Sequence, residues 1–317
     1  MRALGGVSGI VAVAMCLIPL LAGAQPLTRQ QPDAACEQAA GFVIECVRPS
    51  ATDPRIRRFD SANVALFNTH AKPNGQLLLF MPGTGGEPPG PRAFLRAAAD
   101  AGYRVISLEY NDDISVAVYC PRRPNPACSG VFRAMRIDGD RTLGDAAVDN
   151  TPAESIVNRL VKLLQYLDRN HPDGGWGSYI ENGEPNWQRI VVSGQSQGAG
   201  MAAFIAKQRE VARVILFSSP WDFVLRHGRR ELAPWLALPS QTPPDRWFGG
   251  YHARENMAGL LARSYAELKI PRDHIRIFNQ DLPAGARPKG NNPFHGQGLF
   301  NPAYAEQRAF FLRASEP

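Results

Sequence analysis

Apolar positions along this chain follow two patterns in turn, short unbroken runs and longer stretches with helical spacing. Residues 76–81 (QLLLFM) form a continuous apolar run, as expected of a strand buried on both faces. Residues 91–101 predict a helix that stops at Gly102, and 104–110 (RVISLEY) predict the next strand. Thr151-Pro152-Ala153-Glu154 reads as an N-cap, a proline at the first helical position and a capping-box glutamate. Behind it, Ile156, Leu160, Leu163, Leu164 and Leu167 recur at helical spacing, so this helix packs one face on a sheet. Strands follow at 188–193 (QRIVVS) and 211–218 (VARVILFS), with a helix over 198–207 between them. The remaining pattern is weaker: a strand at 246–251, a helix through about 268, a strand at 274–278 and a helix over 302–313. Strands alternating with helical crossovers predict an α/β fold, a mostly parallel central sheet with helices on both faces.

The expected organisation is one domain over 25–317. It begins with an N-terminal extension (25–60) and contains two irregular segments, 111–150 and 220–245, placed where lid-like excursions over a site are common. Residues 1–24 have the plan of a signal peptide. Arg2 precedes an apolar stretch from about 9 to 21, and Ala22-Gly23-Ala24 supplies the small residues of a cleavage site. The expected destination is secreted or periplasmic, with no integral membrane segment left after cleavage. Losing Cys16 with that segment leaves Cys36, Cys46, Cys120 and Cys128. An even set in an exported chain points to disulfides, and the expectation is the local pairing, Cys36 with Cys46 and Cys120 with Cys128. A zinc site is the rival reading, but the spacings lack a CxxC unit and no histidine lies nearby.

Composition narrows the choice further. With 44% hydrophobic and 20% charged residues, the chain can bury a sizeable core. Its formal charge of +6 is spread along the length without a dense basic run, which argues against nucleic acid as a partner. No Walker loop, dinucleotide fingerprint or HExxH occurs, and Asp138-Gly139-Asp140 lacks the other ligand positions of a calcium loop.

The chemistry centres on Gly194-Gln195-Ser196-Gln197-Gly198, a G-x-S-x-G pattern. Alone it is weak. Here it directly follows a buried strand and opens a helix rich in small residues, the context a nucleophile elbow requires. With this elbow and its order of elements, the stretch from about 60 to 315 resembles the α/β-hydrolase family, in particular secreted esterases, lipases and cutinase-like enzymes. The resemblance implies a sheet of about eight strands and Ser–acid–His catalysis in that chain order. It also implies an oxyanion loop after an earlier strand, for which Met81-Pro82-Gly83-Thr84-Gly85-Gly86 stands in place. The expected donors are the amides of Gln197, Thr84 and Gly85. This loop departs from the HGGG form, which leaves the identity of its donor open.

Of the six histidines, only His295 lies after the last predicted strand, where the family carries its base. The acid has three candidates. Glu255 follows the strand before the last, Asp222 follows the strand before that, and Asp281 lies only a short way before His295. The expected function is hydrolysis of a small-molecule or lipid-like carboxylic ester through an acyl-enzyme on Ser196, with no cofactor. Amide or peptide hydrolysis by the same triad is one alternative, and a silent exported binding protein is the other. Trp221, Trp235, Trp247 and Phe248 stand as acyl-pocket candidates or as plain core.

Overall fold

In a computed structural model of the chain, residues 36, 38–140, 148, 150–286 and 290–313 are described, and the expected signal segment lies outside them. Eight strands of these residues join one sheet: β1 (Phe42–Val47), β2 (Asn63–Asn68), β3 (Leu77–Met81), β4 (Arg104–Ser107), β5 (Ile190–Gln195), β6 (Arg213–Phe217), β7 (Trp247–His252) and β8 (Ile275–Phe278). Their order across the sheet is β1-β2-β4-β3-β5-β6-β7-β8. β2 runs antiparallel to both neighbours, and from β4 to β8 every pairing is parallel. Parallel strands need crossovers, and helices fill most of the connections: α1 (Arg92–Asp100) between β3 and β4, α2 (Cys128–Asp138) and α3 (Ile156–Asn170) between β4 and β5, α4 (Gln197–Gln208) between β5 and β6, and α5 (Ala258–Glu267) between β7 and β8, while α6 (Gln297–Phe300) and α7 (Ala305–Leu312) follow the last strand.

The period-2 geometry of β3 shows why its sequence is an unbroken apolar run. Leu77, Leu79 and Met81 point into a core shared with α3, α4 and α5, whereas Leu78 and Phe80 point into a second core beneath α1 and α7. All five are at most 1% exposed. Each such side chain contributes roughly 1.5–3 kcal/mol of burial, so a polar residue anywhere in β3 would be costly.

Two sequence expectations need correction. Residues 25–60 are not simply an extension, because β1 lies within them and forms the sheet's outer edge. Only Ile44 and Val47 of β1 are buried, so this strand lacks the continuous apolar run that betrays a central one. The helix expected to start at Thr151 begins at Ile156 instead. Ser155 is its N-cap, its hydroxyl accepting from the Asn158 N–H at 3.1 Å. Glu154 is drawn away to the guanidinium of buried Arg159 and to the Arg57 N–H. A buried cation needs a carboxylate more than an exposed helix end does.

The irregular segments carry structure of their own. Cys36 is bonded to Cys46, and Cys120 to Cys128 at the start of α2. The second segment holds a hairpin, Phe223–Arg226 with Arg229–Leu232, whose Leu225 N–H donates to Pro121 O at 2.8 Å. The two excursions are thereby joined. Among the described residues no helix is long and apolar enough to cross a membrane.

Candidate active site

The end of β5 and the start of α4 meet at Ser196 in a turn that few residues tolerate. Ser196 has φ +52° and ψ −118°, a strained conformation for a side-chain-bearing residue. Its flanking glycines are required by space. A Cβ on Gly198 would lie 1.9 Å from the Met81 carbonyl oxygen, and one on Gly194 would lie 2.4 Å from the Gly198 carbonyl carbon. The Ser196 N–H is anchored to Phe217 O of β6 at 2.9 Å, which holds the turn at the carboxyl edge of the sheet. Ser196 also precedes the first turn of α4, whose unpaired N–H groups favour negative charge.

Two loops leave the same edge beyond it. Glu255 follows β7 and is 4% exposed. Its Oε1 accepts from the Ser218 hydroxyl at 2.7 Å and from the His252 N–H at 2.9 Å, and its Oε2 lies 2.7 Å from His295 Nδ1. The carboxylate is thus held by neutral donors on one oxygen and presents the other to the imidazole. The loops are clamped to one another as well. The Asn256 N–H donates to Asn292 Oδ1 at 3.0 Å, and its side-chain amide donates to Asn291 O at 2.9 Å. Phe294 stacks on His252 with ring centres 4.5 Å apart. Ser218, Asn256 and Asn292 carry no signal in the sequence, since each acts through a partner far along the chain.

Asp222 and Asp281 are excluded from the histidine by their own partners. Asp222 is 2% exposed and receives the Arg133 guanidinium on both oxygens at 2.7 and 2.8 Å, with the Trp235 indole N–H also at 2.8 Å. Asp281 is exposed and pairs with Arg254 at 2.8 Å. Trp235, Trp247 and Phe248 are buried core side chains, Phe248 with one edge on a cleft shared with Arg213, His274 and Phe310, and Trp221 packs against the core.

At its other ring nitrogen, His295 does not meet Ser196 among the described hydrogen bonds. Its Nε2 lies 3.2 Å from Gln195 Nε2. With the Nδ1 proton directed at Glu255, Nε2 carries the lone pair, so the side-chain amide of Gln195 is the donor.

Of the expected oxyanion donors, Gln197 occupies the first turn of α4, where its N–H has no partner within the helix. Its side chain reaches the first excursion instead, accepting from the Val116 N–H at 2.9 Å and donating to Ile114 O at 2.7 Å. Pro82 O accepts from the Tyr110 hydroxyl at 2.8 Å, and the Gly86 N–H is shared between Gly83 O and Asp112 Oδ2. The Thr84 and Gly85 amides are absent from the backbone hydrogen bonds of the described residues. Gly83, not singled out by sequence, lies closest to Ser196 of this loop's glycines: a Cβ there would sit 3.1 Å from Ser196 Cβ. Burial pushes the Asp112 carboxyl behind the loop up to about 6, against the pull of the Gly86 N–H. No group of three or more metal-ligating side chains is present among the described residues.

No protein-family model and no curated protein matches the sequence. Solved structures similar in chain trace include a hormone-sensitive lipase from a metagenome library, at 15% identity over 87% of this chain and 86% of that one, with a TM-score of 0.44. A bacterial heroin esterase is 14% identical over 88% of each chain, at 0.42. Esterase B from Lactobacillus rhamnosis is 14% identical over 86% of this chain and 85% of that one, also at 0.42. These likenesses concern the chain trace alone. From its own strand order, the elbow after β5 and the loops after β7 and β8, the chain has the α/β-hydrolase fold.

Proposed function

We propose that the chain is an exported serine hydrolase acting on carboxylic esters. The observation that carries this reading is a buried Glu255 carboxylate bonded to His295 Nδ1 at 2.7 Å, in a loop that reaches the elbow of Ser196. In this reading Ser196 Oγ attacks the ester carbonyl while its proton passes to His295 Nε2. The resulting oxyanion is received by the Gln197 amide and by an amide of the 83–85 loop, with Thr84 and Gly85 as the donors. Collapse expels the alcohol, which takes the proton from His295, and leaves an acyl-enzyme on Ser196. Water then repeats the sequence and releases the acid. Glu255 stays ionised throughout and steadies the imidazolium.

Apolar side chains border this region. Ile114 sits on the segment clamped by Gln197, and Phe300 packs against Gly296 beside His295. Both are at least 36% exposed, which suits a small or lipid-like acyl group. Export is supported by the two disulfides and by the signal-like N-terminal pattern.

A fluorophosphonate probe is the direct test. Covalent labelling that maps to Ser196, is lost in Ser196→Ala and accompanies at least a thousandfold fall in p-nitrophenyl ester turnover is the expected result. Absence of label on the folded chain would remove the reading. Turnover of anilides faster than of matched esters would move it to the amidase alternative.

A further inference from the structure

We propose that Gln195, the residue before the nucleophile, is a positioning residue that competes with Ser196 for the lone pair of His295 and so limits the onset of acylation. The inference rests on the hydrolase reading above. Its basis is the 3.2 Å contact between Gln195 Nε2 and His295 Nε2, together with the slot that holds the side chain in place. On one side is Gly83, where a Cβ would lie 2.3 Å from Gln195 Oε1. On the other is Gly296, where a Cβ would lie 3.2 Å from Gln195 Nε2. The carboxamide therefore fills a gap between the oxyanion-side loop and the histidine loop that exists because both loops have glycine there.

What this contact does follows from what Glu255 already does. The carboxylate at Nδ1 settles which ring nitrogen is protonated, so a second bond at Nε2 adds nothing to that choice. Its effect is to occupy the one site that must receive the Ser196 proton. For acylation to start, the Gln195 N–H has to leave Nε2 and the Ser196 hydroxyl has to replace it. Once the proton has moved, the ring presents Nε2–H, and the carboxamide can turn to offer Oε1 as its acceptor. No bond to carbon changes in this exchange. A residue that only filled space would leave Nε2 unaffected by loss of the amide.

Gln195→Met keeps the length and bulk of the side chain but removes the donor. In protein labelled with 15N-histidine, the His295 Nε2 resonance should move to higher frequency, because an unprotonated ring nitrogen does so when it loses a hydrogen bond. The acylation rate constant for a p-nitrophenyl ester, read from the burst phase, should rise about threefold to tenfold, the factor one neutral hydrogen bond is worth, with KM unchanged within about twofold. Gln195→Ala, which empties the slot, should change the rate in the same direction. Acylation that is unchanged or slower in both variants, or an unmoved resonance, overturns the proposal. Failure of the parent reading is distinguishable, since a wild-type chain that takes no fluorophosphonate label ends both, whereas labelled protein with unaltered burst kinetics ends only this one.

Discussion

Asp222 and Glu255 leave the same edge of the sheet after successive strands, β6 and β7, and both are almost completely buried, at 2% and 4% exposure. Burial therefore does not decide which of them serves a histidine. The partners decide. Asp222 faces a buried guanidinium that satisfies both of its oxygens, and an indole N–H takes what remains. Glu255 faces a hydroxyl and a backbone N–H that together satisfy only Oε1. A carboxylate neutralised by an arginine has little left to offer an imidazole, whereas one held by neutral donors keeps its charge for it. The Asp222 region thus ties α2 to the second excursion through Arg133 and Trp235, and the Glu255 region holds His295.

The strongest way to break this contrast is to remove each charge while keeping each shape. Glu255→Gln should lower kcat for a p-nitrophenyl ester by roughly 10³–10⁴, because an amide misdirects the Nδ1 proton, and should leave the fold intact by circular dichroism. Asp222→Asn should leave kcat per folded molecule within about tenfold. If the two swap effects, the assignment of the acid is wrong.

Stability should rank them in the opposite order. Asp222→Asn leaves Arg133 buried without its counter-charge, at 1% exposure, and should cost about 3–5 kcal/mol in urea unfolding. Replacing both partners, as Arg133→Met with Asp222→Leu, should recover most of that loss, since an apolar pair of similar volume often matches a buried ion pair. A double variant as unstable as the single one would mean that Arg133 acts chiefly through Gln197 O, which it also approaches at 3.4 Å.

A third buried carboxylate sharpens the comparison at the small end. Glu109 is pushed up to about 8 from an ordinary value of 4.5, by burial first and by Asp112 second, with Arg159 pulling the other way. Its folded value lies above its unfolded one, so the protonated form is favoured by folding. The stability it confers is complete below pH about 4.5 and is lost as pH rises through about 8. Glu109→Gln should flatten the decline of the urea midpoint across that window. An unchanged slope would assign the decline to other groups, Asp112 first among them.

Much of this was legible in the chain. The apolar runs of β3, β5 and β6 announced a sheet buried on both faces, and G-x-S-x-G after a strand located Ser196. The order of elements placed Glu255 and His295 in loops that can meet. β1 was not legible as sheet, because only Ile44 and Val47 of it are buried and Glu45 breaks its apolar run, as in many surface segments. Thr151 was a reasonable cap by local rules and lost to Ser155 because Arg159, brought in by the fold, claimed Glu154.

By itself, the sequence determined whatever depends on neighbours along the chain. This covers the α/β alternation, the strained turn that only small flanking residues permit, and the short spacings that make Cys36–Cys46 and Cys120–Cys128 the accessible pairs. Tertiary structure alone decided which carboxylate reached His295, that Asn256 would clamp the histidine loop, and that Gln195 would sit on Nε2. Those contacts join residues 36 to 100 positions apart. Hydrogen bonds of that range depend on orientation at the scale of an ångström, and no local pattern of apolar and polar residues encodes it.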